Sequence, residues 1–511
     1  MRASALLLAI LAASAAPAQD VTVTGSAMID REISRVWRDA AVTPSGPSDD
    51  AEFLRRASLD ITGTLPVPDD ILAFLNDRNP DKRAAKIDQL LARPEYAHAW
   101  AELWENILVG YDQQSRKDSN KALYNWLREE VFAKNLPYDK MVRALVASSG
   151  INTDCGPVNF LIKLSRKDGM GGIAMASKAS KLFMSTQIQC AQCHDHPFDR
   201  FTQEDFYGMV AFFARTKTKK VDTSKDNKDT RFELYDAPNG EASFGEGKAK
   251  KNVAPHFLDD LAPDKDLPRR EAFANLLIRP ENPLFAKSVV NRYWARFFGR
   301  GIIEPVDDFS NRFKPSHPEL LDRLAQDFVS HGYDVAWLIR AIANSQTYQL
   351  SSRRPDNAGS ERLFTHAATR PLTPEQLASC LLTALGVAEG QGPAKNMADV
   401  LRQFRQRFGD EEEADRGLYA GTIPQALMIM NGNLPNGEIG RANNTLDKIL
   451  KQTSVPEERL ERLFLSVLCR RPWPREKSTY LPYVQSAGSK KEPYEDVFWV
   501  LLNSSEFLFN H

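Results

Sequence analysis

Residues 49–66 read DDAEFLRRASLDITGTLP, from Asp49 to Pro66. Phe53, Leu54, Ala57 and Ile61 recur at helical spacing and form one apolar stripe. Asp49 or Asp50 can cap the N-terminus, and Gly63 supplies a stop. The stretch therefore predicts a capped amphipathic helix, and the same grammar repeats outward along the chain. Residues 80–110, PDKRAAKIDQLLARPEYAHAWAELWENILVG, predict two helices parted at Pro94. SNKALYNWLREEVFAKN and PYDKMVRALVASSG each carry a helical period. GGIAMASKASKLFMSTQIQ predicts a helix that leads directly into a cysteine pair. TQEDFYGMVAFFART predicts another, with Thr202 as cap and Glu204 and Asp205 in its first turn.

From Thr216 to His256 the chain becomes charged and Gly-containing, and only RFELYD alternates like a strand. This predicts a surface insertion with room for a short hairpin. Helical patterns then resume. NPLFAKSVVNRYWARFFGRG ends at Gly299, and PSHPELLDRLAQDFVSHG carries Leu320, Leu321, Leu324 and Phe328 on one face. In the latter, Ser316 and Glu319 have the spacing of a capping box. DVAWLIRAIANSQTYQL, TPEQLASCLLTALG, VPEERLERLFLSVLCRRP and YEDVFWVLLNSSEFLF complete the series. The expected fold class is all-α: two helical domains, residues 27–215 and 263–511, around an irregular, β-compatible insertion at 216–262. A chain of 511 residues is too long for one ordinary core, which agrees with division into domains.

Hydrophobic residues make up 42% and charged residues 26%, as in soluble globular proteins, and the net charge of −1 gives no pull toward nucleic acid or anionic lipid. Arg2, the run ALLLAILAASA and the Ala16-Pro17-Ala18 pattern read as a secretory signal peptide over residues 1–18. No later run reaches the ~18 apolar residues of a membrane span. The expectation is an exported, extracytoplasmic protein that does not span the membrane.

The chain has five cysteines and eight histidines, and two of each fall within Cys190–His196. Cys190-Ala191-Gln192-Cys193-His194 fits C-x-x-C-H, the attachment motif of c-type haem. On a helical turn, residues three and four apart share a face. Cys190 and Cys193 can then anchor one porphyrin while His194 reaches the iron. Other readings stay open. A zinc or iron site, with hydrolytic chemistry, could use Cys190, Cys193, His194 and His196, or His196 and Asp199 with remote ligands. The pair could be a redox dithiol, though no βαβ pattern surrounds it. It could also close as a Cys190–Cys193 disulfide in a surface binding or scaffold protein. His196 or Asp199 is a candidate partner that fixes the His194 tautomer. Met170, Met175, Met184 and Met209, and His98, His256, His317 and His366, read as structural rather than as a sixth ligand. Cys380 and Cys469 sit in apolar helical patterns as buried thiols, and Cys155 lies in the loop NTDCGP. There is no G-x-S-x-G and no P-loop, and DGMGG lacks the preceding strand of a dinucleotide site.

DAEFLRRASLDITGTLPVPDDILAFL, RPEYAHAWAELW and IQCAQCHDHPFDRFTQEDFYGMVAFFART resemble the cytochrome-associated domain of unknown function common in secreted planctomycete and verrucomicrobial proteins. AKSVVNRYWARFFGRGIIEPVDDF, PLTPEQLASCLLTALG and LLNSSEFLF resemble its usual C-terminal companion, also of unknown function. The resemblance covers nearly all of the chain after residue 27. It implies that CAQCHDHPFD is the centre of chemistry. It also implies a setting near polysaccharide use, with a redox partner protein or a polysaccharide-related enzyme. It does not choose between haem and another metal.

Overall fold

The computed structural model describes residues 18–110, 120–165, 171–197, 199–221, 231–245, 247, 250–258, 261–387, 437–486 and 490–511. Residues 1–17, most of the run read as a signal peptide, lie outside them, as do Met170 and Phe198.

The described chain is mainly helical with a few small sheets. The helix read from the opening stretch is Asp50–Thr62. Asp49 Oδ1 accepts the Ala51 and Glu52 N–H groups at 3.0 and 2.9 Å, which satisfies two of the four free donors of the first turn. Gly63, at φ 70°, ends the helix in the left-handed conformation that glycine adopts without Cβ strain. Lys82–Leu91 and Pro94–Val109 follow as two helices, with Pro94 in the first turn of the second. The segment read as one helix from Asn120 is α-helical to Trp126 and then a π turn over Leu127–Phe132.

A helix at Ala18–Asp39, absent from the sequence reading, lies against Val335–Ala343 and Pro318–Ser330. Contacts of this kind join the two ends of the chain throughout. Trp100 stacks on Tyr293 with ring centres 4.7 Å apart, and Trp104 Nε1 donates to the Tyr293 hydroxyl at 3.1 Å. The buried Arg55 donates to the carbonyls of Val467, Glu506, Phe507 and Phe509 at 3.3, 3.0, 3.1 and 3.2 Å. The buried Asp60 accepts from the Tyr348 hydroxyl, Arg370 Nη2 and Asn510 Nδ2 at 2.9, 2.9 and 2.8 Å. The Asp60 carboxylate and the Arg55 Nη groups are thus paired inside the protein, as burial of charge requires, while Arg55 Nε has no hydrogen-bond partner. Apolar residues from Met28 to Phe507 form one continuous buried cluster.

The expected insertion carries β structure. Thr216–Val221 pairs antiparallel with Arg231–Asp236, which also pairs with Gly150–Ile151. Ala242–Phe244 pairs with Lys251–Val253. RFELYD is thus a strand, as its alternation predicts.

Two local expectations are corrected. The helix Gly171–Met184 stops before the cysteines instead of running into them. The Ser316–Glu319 capping box does not form, because Pro318 opens the helix and makes His317 its cap residue. Ser316 Oγ donates instead to Ile302 O at 3.2 Å, and Glu319 pairs with Arg35 at 3.0 Å. No described helix is long and apolar enough to cross a membrane.

Candidate haem-attachment turn

The chain reaches the motif through Ser185, a non-glycine residue at φ 49°. Such a conformation is uncommon outside glycine and needs support from its surroundings. Here the Ser185 hydroxyl bonds Val306 O and Ser288 Oγ, both at 2.8 Å, so the bend is fixed against the helix Pro283–Phe298. Gln189–Gln192 then form a single 3₁₀ turn. In such a turn residues three apart align. Ile188 and Ala191 are the inward pair, both fully buried. Cys190 and Cys193 are the outward pair, both exposed and both free thiols.

His194 follows on the surface. Its Nδ1 lies 2.7 Å from Asp195 O. A carbonyl only accepts, so in this bond Nδ1 carries the proton, and the lone pair of the neutral ring sits on Nε2. That nitrogen has no protein partner among the described residues.

Hydrogen bonds from the next helix hold the turn. Gln203 N donates to Asp195 Oδ1 and Gln203 Nε2 donates to Gln192 O, both at 2.9 Å. The helix Gln203–Phe213 opens with a reciprocal capping box between Thr202 and Asp205, as the sequence predicts for Thr202. His196 N donates to Phe201 O at 2.8 Å, and its ring meets Phe201 edge-on with centres 6.4 Å apart. Asp199 Oδ1 accepts the Arg200 N–H at 2.8 Å, and Arg200 Nη2 donates to Leu258 O at 3.1 Å. The last bond joins the loop to the segment Ala254–Leu258.

That segment holds the residue whose place the sequence did not reveal. His256 is distant in sequence, yet its Nε2 lies 3.4 Å from Asp205 Oδ1. Burial alone would raise the Asp205 carboxyl. The Thr202 N–H and hydroxyl together with His256 outweigh it and hold the group below the usual carboxylate range. His256 comes this close because residue 208 is glycine: a Cβ there would lie 2.2 Å from the ring. The mid-helix Gly208, three residues after Asp205, signals a close approach at this point of the helix without naming its partner. Tyr207 stacks on Phe244 with centres 5.2 Å apart, and burial, with Cys193 nearby, raises its hydroxyl.

The structure therefore brings Cys190, Cys193 and His194 onto one surface turn. It turns His196 back onto Phe201 and Asp199 onto its own neighbour. Among the described residues no three His, Cys, Asp or Glu side chains are grouped so as to hold a metal ion. Met175, Met184 and Met209 lie in the core at 0–1% exposure. His98 pairs with Tyr124 and Glu102, His317 with Ser316 and His366 with Glu361. The donor set fits covalent haem: two free, exposed thiols three residues apart, then an imidazole whose Nε2 lone pair is unclaimed. Ile188, Ala191, Phe206 and Met209 are packed into the core. Cys190, Cys193 and His194 therefore lie at the surface over a filled core.

Residues 28–218 match the family model PSCyt2, described as a protein of unknown function (DUF1549). Residues 269–423 match PSD1, described as a protein of unknown function (DUF1553). The motif turn falls within the first match, and His256 falls between the two. No curated protein matches the chain, and no solved structure does.

Proposed function

The chain carries a PSCyt2 domain followed by a PSD1 domain, and we propose that it is an extracytoplasmic c-type cytochrome-like protein. Cys190 and Cys193 would hold haem through thioether bonds, and His194 Nε2 would bind its iron. When bound, the haem supplies one-electron chemistry. The chain's own residues place the two sulfurs on one face and keep the His194 proton on Nδ1. They also leave the turn open to a partner. The observation that carries this reading is the His194 hydrogen bond to Asp195 O, which frees Nε2 beside two unpaired thiols. The word cytochrome implied by the PSCyt2 name points the same way. We assign the protein to electron transfer with a redox partner protein, for which the family resemblance suggests an enzyme acting on polysaccharide.

The test is production in a host able to attach c-type haem. The wild type should be red and keep a haem stain in a denaturing gel. The double variant Cys190→Ala/Cys193→Ala should lose both colour and stain. His194→Ala should keep covalent haem with an altered absorption spectrum. A colourless wild type with stoichiometric zinc or iron would overturn the reading in favour of a non-haem site. A colourless, metal-free protein with a closed Cys190–Cys193 disulfide would overturn it in favour of a scaffold.

A further inference from the structure

We infer that Asp195 and Gln203 are positioning residues that set the tautomer and direction of His194 before any cofactor is present. The geometry is a two-point clamp. The Gln203 backbone N–H holds the Asp195 carboxylate, and the Gln203 side chain holds the Gln192 carbonyl, each at 2.9 Å. Between those two points lie only Cys193 and His194. The clamp thereby fixes the peptide whose carbonyl takes the His194 Nδ1 proton at 2.7 Å.

The anchor itself is rigid. Gln203 is the first residue of a helix whose start is locked by the Thr202–Asp205 capping box, and Phe206 and Met209 of that helix are fully buried. The free N–H groups of a helix start seek acceptors, and a carboxylate satisfies them well. Asp195 thus does two things at once. It caps an otherwise unpaired N–H, and it carries the carbonyl that polarises His194. An exposed histidine without such a partner samples both tautomers. This one is aimed, which matches the way a ligating imidazole is oriented by a hydrogen bond to its second nitrogen.

The consequence rests on the haem reading, but the test does not. The full-length protein would be prepared without haem, with its histidines labelled with nitrogen-15, and the ring nitrogens followed by NMR at alkaline pH. Comparison with His194→Gln assigns the signal. The wild type should show His194 with the proton on Nδ1. Asp195→Ala should lose that signal in favour of a tautomer mixture. Asp195→Asn keeps an oxygen acceptor for the Gln203 N–H and should restore it. Gln203→Ala, which breaks the second clamp point alone, should give an intermediate shift. A wild-type His194 with its proton on Nε2 would overturn the inference. So would an Asp195→Ala protein whose His194 signal is unchanged. If Asp195→Ala fails to fold, a folded Asp195→Asn or Gln203→Ala protein decides: loss of the Nδ1–H signal in the first, or an unchanged signal in the second, overturns it. In haem-loaded protein the midpoint potential should shift in Asp195→Ala and not in Asp195→Asn. Absence of haem from the wild type would defeat the proposed function while leaving the tautomer result standing.

Discussion

Cys190 and Cys193 stand on the surface of a chain that seals Cys380 and Cys469 in its core. The two pairs have the same side chains and opposite surroundings. The first pair sits on a single 3₁₀ turn held to the next helix by Gln203. The second flanks Arg55 among apolar side chains, and burial pushes the thiols up to about 12 at Cys380 and about 11 at Cys469. A thiolate is the reactive form of cysteine, so the core pair is chemically silent and the surface pair is available. Half-buried Cys155 stands between them, its thiol raised by partial burial. Position in the fold, not residue type, decides which sulfurs can do chemistry.

The sharpest expected contrast is in reactivity. At pH 8 a thiol with a pKa near 11 or 12 is ionised to only about one part in 1,000 or less. In protein prepared without haem, iodoacetamide should therefore label the exposed Cys190 and Cys193 more than about 100-fold faster than the buried Cys380 and Cys469, as read by peptide mass mapping. Unfolding in urea should abolish the difference. Equal labelling in the folded protein would break the comparison.

The next effect concerns the buried side. Arg55→Met removes the donor shared by the carbonyls of Val467, Glu506, Phe507 and Phe509. Leaving those groups unpaired in an apolar site should cost about 3–5 kcal/mol, read from urea unfolding midpoints. A loss below ~1 kcal/mol would mean that the ends of the chain are held together some other way.

A pH effect of somewhat smaller size should come from His317, which lies buried with Nε2 unpaired. Burial first, then Arg35 and Arg362, lower its pKa from 6.5 to about 4. The unfolded chain then binds the proton more readily than the folded one. Stability from this group is fully present above pH 6.5 and falls as pH drops toward 4, by on the order of 3 kcal/mol. His317→Gln should flatten that slope in melts taken between pH 4 and 7. An unchanged slope would contradict the assignment.

The smallest effect belongs to the surface turn. The exposed His194 contributes one hydrogen bond to a neighbouring carbonyl. His194→Ala should change unfolding stability by no more than ~0.5 kcal/mol. A larger loss would make the imidazole a structural element instead of an available ligand.

Legibility in the sequence follows the same division. The helices were readable because their signals are local: Asp49 and Gly63 bound one, Pro94 opens another, and Thr202 caps a third. The cysteine–histidine turn was readable because its spacing is itself the signal. What escaped reading depends on distant contacts. The helix at Ala18–Asp39 is specified by packing on Val335–Ala343. The Ser316 hydroxyl bonds Ile302 O across a turn, so the motif Ser316–Glu319 forms no capping box. His256 reaches Asp205 only because Gly208 leaves room, a fact of shape that no spacing rule encodes. The Arg55 and Asp60 networks join residues from opposite ends of the chain, beyond the reach of any local pattern.

The central claim is that the surface pair of sulfurs, with the imidazole beside them, carries haem. Intact mass spectrometry of the protein, made in a host competent for c-type haem attachment, decides it. The expected mass is that of the polypeptide plus one haem, with the haem mass lost when Cys190 and Cys193 are both replaced by alanine. A wild-type mass equal to that of the bare polypeptide would contradict it.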